Sequence, residues 1–153
     1  MDSSASITID DSHWPLLVMT FVGEPTLQQQ EAHLARVSTY LRRDEQFVSI
    51  LDTRQERMMT AEHRRRLAEF LKEHDALLRT QVLGCASVIT SPIMQLAASI
   101  VLHLKPLPFP YFTTRSLPEA GLWAATRLEG TGLLHLAERI RRHYGPRAES
   151  CIG

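Results

Sequence analysis

Few side chains in this sequence are of a type and spacing that could do chemistry. Cys85 lies in the run Val82-Leu83-Gly84-Cys85-Ala86. A nucleophilic cysteine needs a neighbour that favours the thiolate, and Val, Leu, Gly and Ala supply none, so Cys85 reads as an inert core residue. The seven histidines, 13, 33, 63, 74, 103, 135 and 143, are scattered. His63 and His74, the clearest local pair, are about three helical turns apart, too far to share one metal. Thr60 stands where a helix begins, and negative charge added there would be tolerated. As an N-cap, however, its hydroxyl is already used by the backbone. The segment from Asp52 to Met59 is dense in charge, with Asp52, Arg54, Glu56 and Arg57. Parallel-sheet proteins bind ligands beyond the carboxyl ends of their strands, so this loop and Thr90-Ser91 share one rim. The alternative is a solvated connection. Neither Gly84 nor the Gly130/Gly132 pair follows a strand and opens a helix as phosphate-binding glycines do. No nucleophile–base pair is evident, so the sequence reads as non-enzymatic, with no cofactor and no metal.

Charge narrows the partners. Lys plus Arg equals Asp plus Glu at 17 each, for a net charge of zero over 153 residues. Nucleic-acid binding draws on a surplus of cations, and Arg64-Arg65-Arg66 has no interleaved aromatic residues to stack bases. That triplet reads as a solvated helix face. Hydrophobic residues at 44% and charged residues at 22% suit one globular domain. The polar, acidic start lacks the pattern of a signal peptide. The longest apolar stretch, Ile93 to Leu104, is too short to insert in a membrane and carries Gln95 and His103. A cytoplasmic location is the expectation. Cys85 and Cys151 are not expected to form a disulfide.

These residues must be held by elements that the pattern predicts. Ile7–Asp10 and Leu16–Gly23 read as strands, the second nearly continuous and apolar. Thr26 and Gln29 form a capping box for a helix with Leu27, Leu34, Val37 and Leu41 on one side. Phe47–Leu51 is a short strand ending at Asp52-Thr53. The helix after Thr60 buries Leu67, Phe70, Leu71, His74 and Leu78. Val82–Ile89 is a strand, and Ser91-Pro92 opens the apolar helix Ile93–Lys105. Tyr111–Thr114 is the last strand. Ser116 and Glu119 form a second capping box for a helix with Leu122 and Trp123, and an amphipathic helix, Leu133–Tyr144, ends at Gly145-Pro146. Helix and strand alternate after the first two strands, which calls for a mixed, mostly parallel sheet flanked by helices. The expected sheet runs third, second, fourth and fifth strand, with Ile7–Asp10 at one edge.

This order, with Ser49-Ile50-Leu51-Asp52, Ser91-Pro92, Leu107-Pro108-Phe109-Pro110-Tyr111-Phe112-Thr113 and Ala120-Gly121-Leu122-Trp123, resembles the STAS superfamily and its SpoIIAA-like branch. The resemblance covers roughly Ile7 to Leu128. It implies a STAS-like α/β domain over 1–130, followed by an additional amphipathic helix over 131–145 and a flexible tail over 146–153. It also implies a regulatory or scaffolding module that docks other proteins, such as a signalling or anti-sigma-like partner. Phosphoswitch members carry an Asp-Ser pair near the position of Thr60-Ala61-Glu62. The pair is absent here, and Thr60 is the only hydroxyl there. The equivalent interaction loop is Asp52, Thr53, Arg54, Arg57 and Thr60.

Helix Ile93–Leu104 has more apolar circumference than one packing face requires. Either the final helix folds back over it or another subunit covers it, as in a homodimer. The expected interface is Met94, Ile100, Val101 and Leu104 with Leu133, Leu136 and Ile140. A second function stays open: a small-molecule or lipid-binding domain with its pocket between helix 93–104 and the sheet.

Overall fold

In the computed structural model, which describes residues 5–145, five strands and six helices follow one another along the chain. They are β1 (Ser6–His13), β2 (Leu16–Gly23), α1 (Leu27–Leu41), β3 (Phe47–Glu56), α2 (Ala61–Glu73) and α3 (Asp75–Gln81). Then come β4 (Val82–Val88), α4 (Pro92–Leu104), β5 (Tyr111–Thr114), α5 (Leu117–Glu129) and α6 (Leu134–Tyr144). The tail expected over 146–153, with Cys151, lies outside the described residues.

The protein is an α/β domain built on one mixed sheet, ordered β1-β2-β3-β4-β5. β1 holds an edge and pairs antiparallel with β2; the other three pairings are parallel. Strand order follows chain order, so β3 lies between β2 and β4, unlike the expected third–second–fourth–fifth sequence.

Alternate residues of each strand serve two separate cores. On one face Leu17, Met19 and Phe47 pack with α1, α2 and Val101 of α4. On the other, Leu16, Val48, Ile50, Ala86 and Val88 pack with α5 and α6. The helices that connect parallel strands thus gather on one face, and the two C-terminal helices cover the opposite one. This corrects one of the two expected arrangements, in which the final helix folds back over α4. Its stripe, Ala137 and Ile140, is buried against α5 across the sheet from α4.

Two glycines set that second face. At Gly84 a Cβ would lie 2.7 Å from a ring carbon of Trp123, which stacks on Phe112 with centroids 5.4 Å apart. At Gly121 a Cβ would lie 2.3 Å from Cγ of Tyr144. Neither helix could approach so closely over a larger residue.

The local signals acted largely as their chemistry dictates. Thr26 and Gln29 complete their capping box, with Gln29 Oε1 accepting from Thr26 N at 2.8 Å. Ser91 caps α4 with Pro92 in the first turn. Ser116 caps α5, but the second box does not close. Glu119 instead accepts a hydrogen bond from the hydroxyl of Thr114, whose oxygen accepts from Ser116 N at 3.1 Å. The long helix expected after Thr60 breaks at His74 (φ −107°, ψ 17°) into α2 and α3. There the imidazole stacks on Phe70 at 4.1 Å, with Nδ1 2.9 Å from the Phe70 carbonyl oxygen.

Candidate functional site

Between the sheet and helices α1, α2 and α4 lies a partly open cavity of ≈ 190 Å³. Met19, Phe21, Ser49, Leu51 and Cys85 form its floor. Leu34, Val37 and Leu41 of α1, Phe70 and Leu71 of α2, and Met94, Ala98 and Val101 of α4 form its walls. Leu107 and Phe109, from the proline-rich segment after α4, close one side. The lining is almost wholly apolar. Cys85 belongs to it as an inert group: burial pushes the thiol up to about 11, despite a hydrogen bond with Ser49.

Among the polar side chains of that lining are three that could bind a ligand's polar group: Gln30, His33 and Glu56. Gln30 and His33 stand three residues apart on α1 and so share a face; each is more than nine-tenths buried. Gln30 Nε2 donates to the carbonyl oxygen of His63 at 3.0 Å, while its Oε1 finds no partner among the described residues. Nδ1 of His33 is likewise buried and unpartnered, and its ring meets Phe21 edge-on at 5.3 Å. Burial pushes His33 down to about 4, with Arg36 adding to the effect, so the ring is neutral at pH 7.

Glu56 is the third. It pairs with Gly23 at the carboxyl end of β3, beside the strand that carries Phe21. Glu56 is 7% exposed, and burial pushes its carboxyl up to about 7. Between the pairs Thr20–Asp52 and Val22–Gln55, β2 uses two residues and β3 three. The extra residue is a bulge and inverts the side-chain alternation of β3. Ahead of it Ser49, Leu51 and Thr53 face the cavity, and Val48 and Ile50 face α5. Beyond it Glu56 faces the cavity. Without the bulge it would share a side with Ile50 and Asp52.

The residues predicted from sequence are not brought together. Asp52, Thr53 and Arg54 belong to β3, which runs on through Glu56 where a loop was expected. Asp52 and Arg54 form a bidentate pair, at 2.9 and 2.8 Å. Burial acts to raise the Asp52 pKa, but the Arg54 hydrogen bonds outweigh it and hold the carboxyl below its ordinary value. Thr53 donates its hydroxyl to the Val88 carbonyl at 2.9 Å. Arg57 lies 3.8 Å from Glu24. Thr60 caps α2, accepting from His63 N at 3.2 Å, with its hydroxyl 2.6 Å from His63 Nδ1. None of these but Thr53 lines the cavity.

The expected interface divides across the sheet. Met94 and Val101 are buried on the cavity side and Ile140 against α5; Ile100, Leu133 and Leu136 are half-buried, and Leu104 is exposed. Ile93 and Leu96 of α4 are more exposed still, at 61% and 63%. A second, open groove of ≈ 530 Å³ runs along β5, bordered by Gln95, Ser99, Thr113 and Arg115. Among the described residues no group of His, Cys, Asp and Glu could hold a metal ion, and no helix is long and apolar enough to cross a membrane.

Sequence reasoning missed Gln30, His33 and Glu56. A signal for two of them existed: positions 30, 33, 34, 37 and 41 form one helical stripe, so Gln30 and His33 occupy places where apolar residues belong. Leu27, expected on that stripe, is 40% exposed. No model of a known protein family matches the chain, and no curated protein matches it.

Proposed function

We propose that this domain binds a small apolar molecule, at least the size of a single ring, between its sheet and helices α1, α2 and α4. The apolar cavity carries the reading. Packed interiors have few voids larger than a water molecule, and an apolar cavity of about 150 Å³ is already enough to take up benzene. This one is larger, at ≈ 190 Å³. A guest that fills it takes apolar lining out of water, worth roughly 25 cal/mol per Å² buried. The test is a titration with toluene followed by amide chemical shifts. Saturable shifts should concentrate in α1, α2, α4 and the strand residues facing them. Absence of saturation up to toluene's solubility limit refutes the proposal.

A second reading follows the STAS-like resemblance: a regulatory module working through protein contacts. The exposed Ile93, Leu96 and Leu104 on the outer side of α4 favour it, since docking surfaces concentrate apolar area. The two readings are compatible, because α4 presents one side to the cavity and the other to solvent.

A further inference from the structure

We propose that the molecule held in this cavity carries a hydrogen-bond-donating amine head, seated against Gln30, His33 and Glu56. The inference rests on the cavity reading and goes further, by naming the chemistry of the guest's polar end.

Buried polar atoms are nearly always partnered, and an exception in a cavity wall calls for a reason. Gln30 Oε1 and His33 Nδ1 are two such exceptions, and the buried Glu56 lines the same chamber. Their hydrogen-bonding capacity is one-sided. Gln30 has committed its amide nitrogen to the His63 carbonyl, so only the accepting Oε1 remains. Thr53, also in the lining, has committed its hydroxyl proton to the Val88 carbonyl and offers an acceptor. The Glu56 carboxylate only accepts. Neutral His33 can present Nδ1 as an acceptor when the proton rests on Nε2. A guest head with several protons and a positive charge answers all of these at once, and a carboxylate head answers almost none.

Charge points the same way. Burial holds the Glu56 carboxyl up at about 7. Burying a carboxylate is costly until a counter-charge joins it. An ammonium supplies that charge together with charge-assisted hydrogen bonds, which are stronger than neutral ones. The β3 bulge is what turns this carboxylate into the chamber.

Hexylamine, hexan-1-ol and hexanoate share one chain and differ only in the head, so calorimetric titration of the three at pH 7.5, with toluene as reference, isolates it. Hexylamine should bind at least about tenfold more tightly than hexanoate, with hexan-1-ol between. In Glu56→Gln that preference should shrink to within about threefold; saturable toluene binding reports that the variant is folded. Hexanoate binding as tightly as hexylamine to the unaltered protein overturns the inference, as does a preference that survives Glu56→Gln. If toluene binds and the preference is missing, only the amine assignment falls. If toluene does not bind, the cavity reading falls and takes this inference with it.

Discussion

Replacing Ser49 with leucine asks whether the space above β3 is real. Ser49 is 6% exposed on the cavity floor, between the α1 and α4 walls. An isobutyl group placed there would occupy part of the ≈ 190 Å³. Burying a leucine-sized side chain is worth roughly 1.5–3 kcal/mol. Losing the Ser49–Cys85 hydrogen bond offsets about 0.5–1.5 kcal/mol of that. The net expectation is a gain of about 1–2 kcal/mol, or some 2–8 °C in melting temperature for a chain of this length. Calorimetry and urea titration read it directly, and toluene affinity should fall in parallel. Most buried polar-to-leucine changes go the other way, so the sign is diagnostic. A loss of more than about 1 kcal/mol is what overpacking costs. It would mean that α1 and α4 already press on β3.

Glu56 and His33 should pull stability in opposite directions with pH. Glu56 titrates at about 7 when folded against an ordinary 4.5, so its protonated form favours the folded state and stability is lost as pH rises through that window. His33 titrates at about 4 against 6.5, so stability is lost as pH falls between those values. Each is worth roughly 3 kcal/mol at full effect. Urea titrations at pH 5 and 7.5 should find Glu56→Gln relatively more stable at 7.5 and His33→Gln relatively more stable at 5. Identical pH profiles for the two variants would rule this out. Gly121→Ala should lift α6 from α5, because its Cβ would meet Tyr144 at 2.3 Å. Tryptic cleavage at Arg139 and Arg141 should speed up, and Tyr144→Ala should restore protection; unchanged cleavage in Gly121→Ala would count against that contact. Thr60→Ala should cost about 1 kcal/mol through loss of the α2 cap, and a change within error of zero would show that the cap is dispensable.

Much of the fold was legible because its signals are local. Thr26 with Gln29, Thr60, and Ser91 with Pro92 satisfy backbone groups within three residues of themselves, so their effect can be read without knowing the rest of the chain. The apolar runs in β2 and β4 identify strands covered on both sides. The errors occurred where distant groups decide. Arg54, Gln55 and Glu56 have the composition of a loop, yet pairing with Val22 and Gly23 of β2 extends the strand through them. His74 fits the helical stripe by spacing, but its ring turns back on Phe70. The stripe of α6 promised a partner without naming it, and Gly121, which admits Tyr144, lies in another helix. The candidate site was hidden for the same reason. Gln30 and His33 look like ordinary interruptions of an amphipathic helix until the sheet opposite them is known. Glu56 changes face only through a bulge.

The two faces of the sheet differ in compliance. Against α5 and α6, Ala86, Ala120, Ala124, Ala125 and Ala137 have no exposed surface and pack among the fully buried Leu16, Val48, Ile50, Leu128 and Ile140. Alanines have no rotamers to rearrange, and backbones set that close have little room to slide. The opposite face is held by Leu, Met and Phe side chains around a hollow. These can repack, Met above all. Thermal opening should therefore be one-sided. Amide protons of α4 and the N-terminal half of α1 should exchange through small local excursions, while those of β3, β4 and α5 wait for global unfolding. On the ligand-binding reading proposed above, such a division would let guests of different shape enter by displacing helices without disturbing strand register.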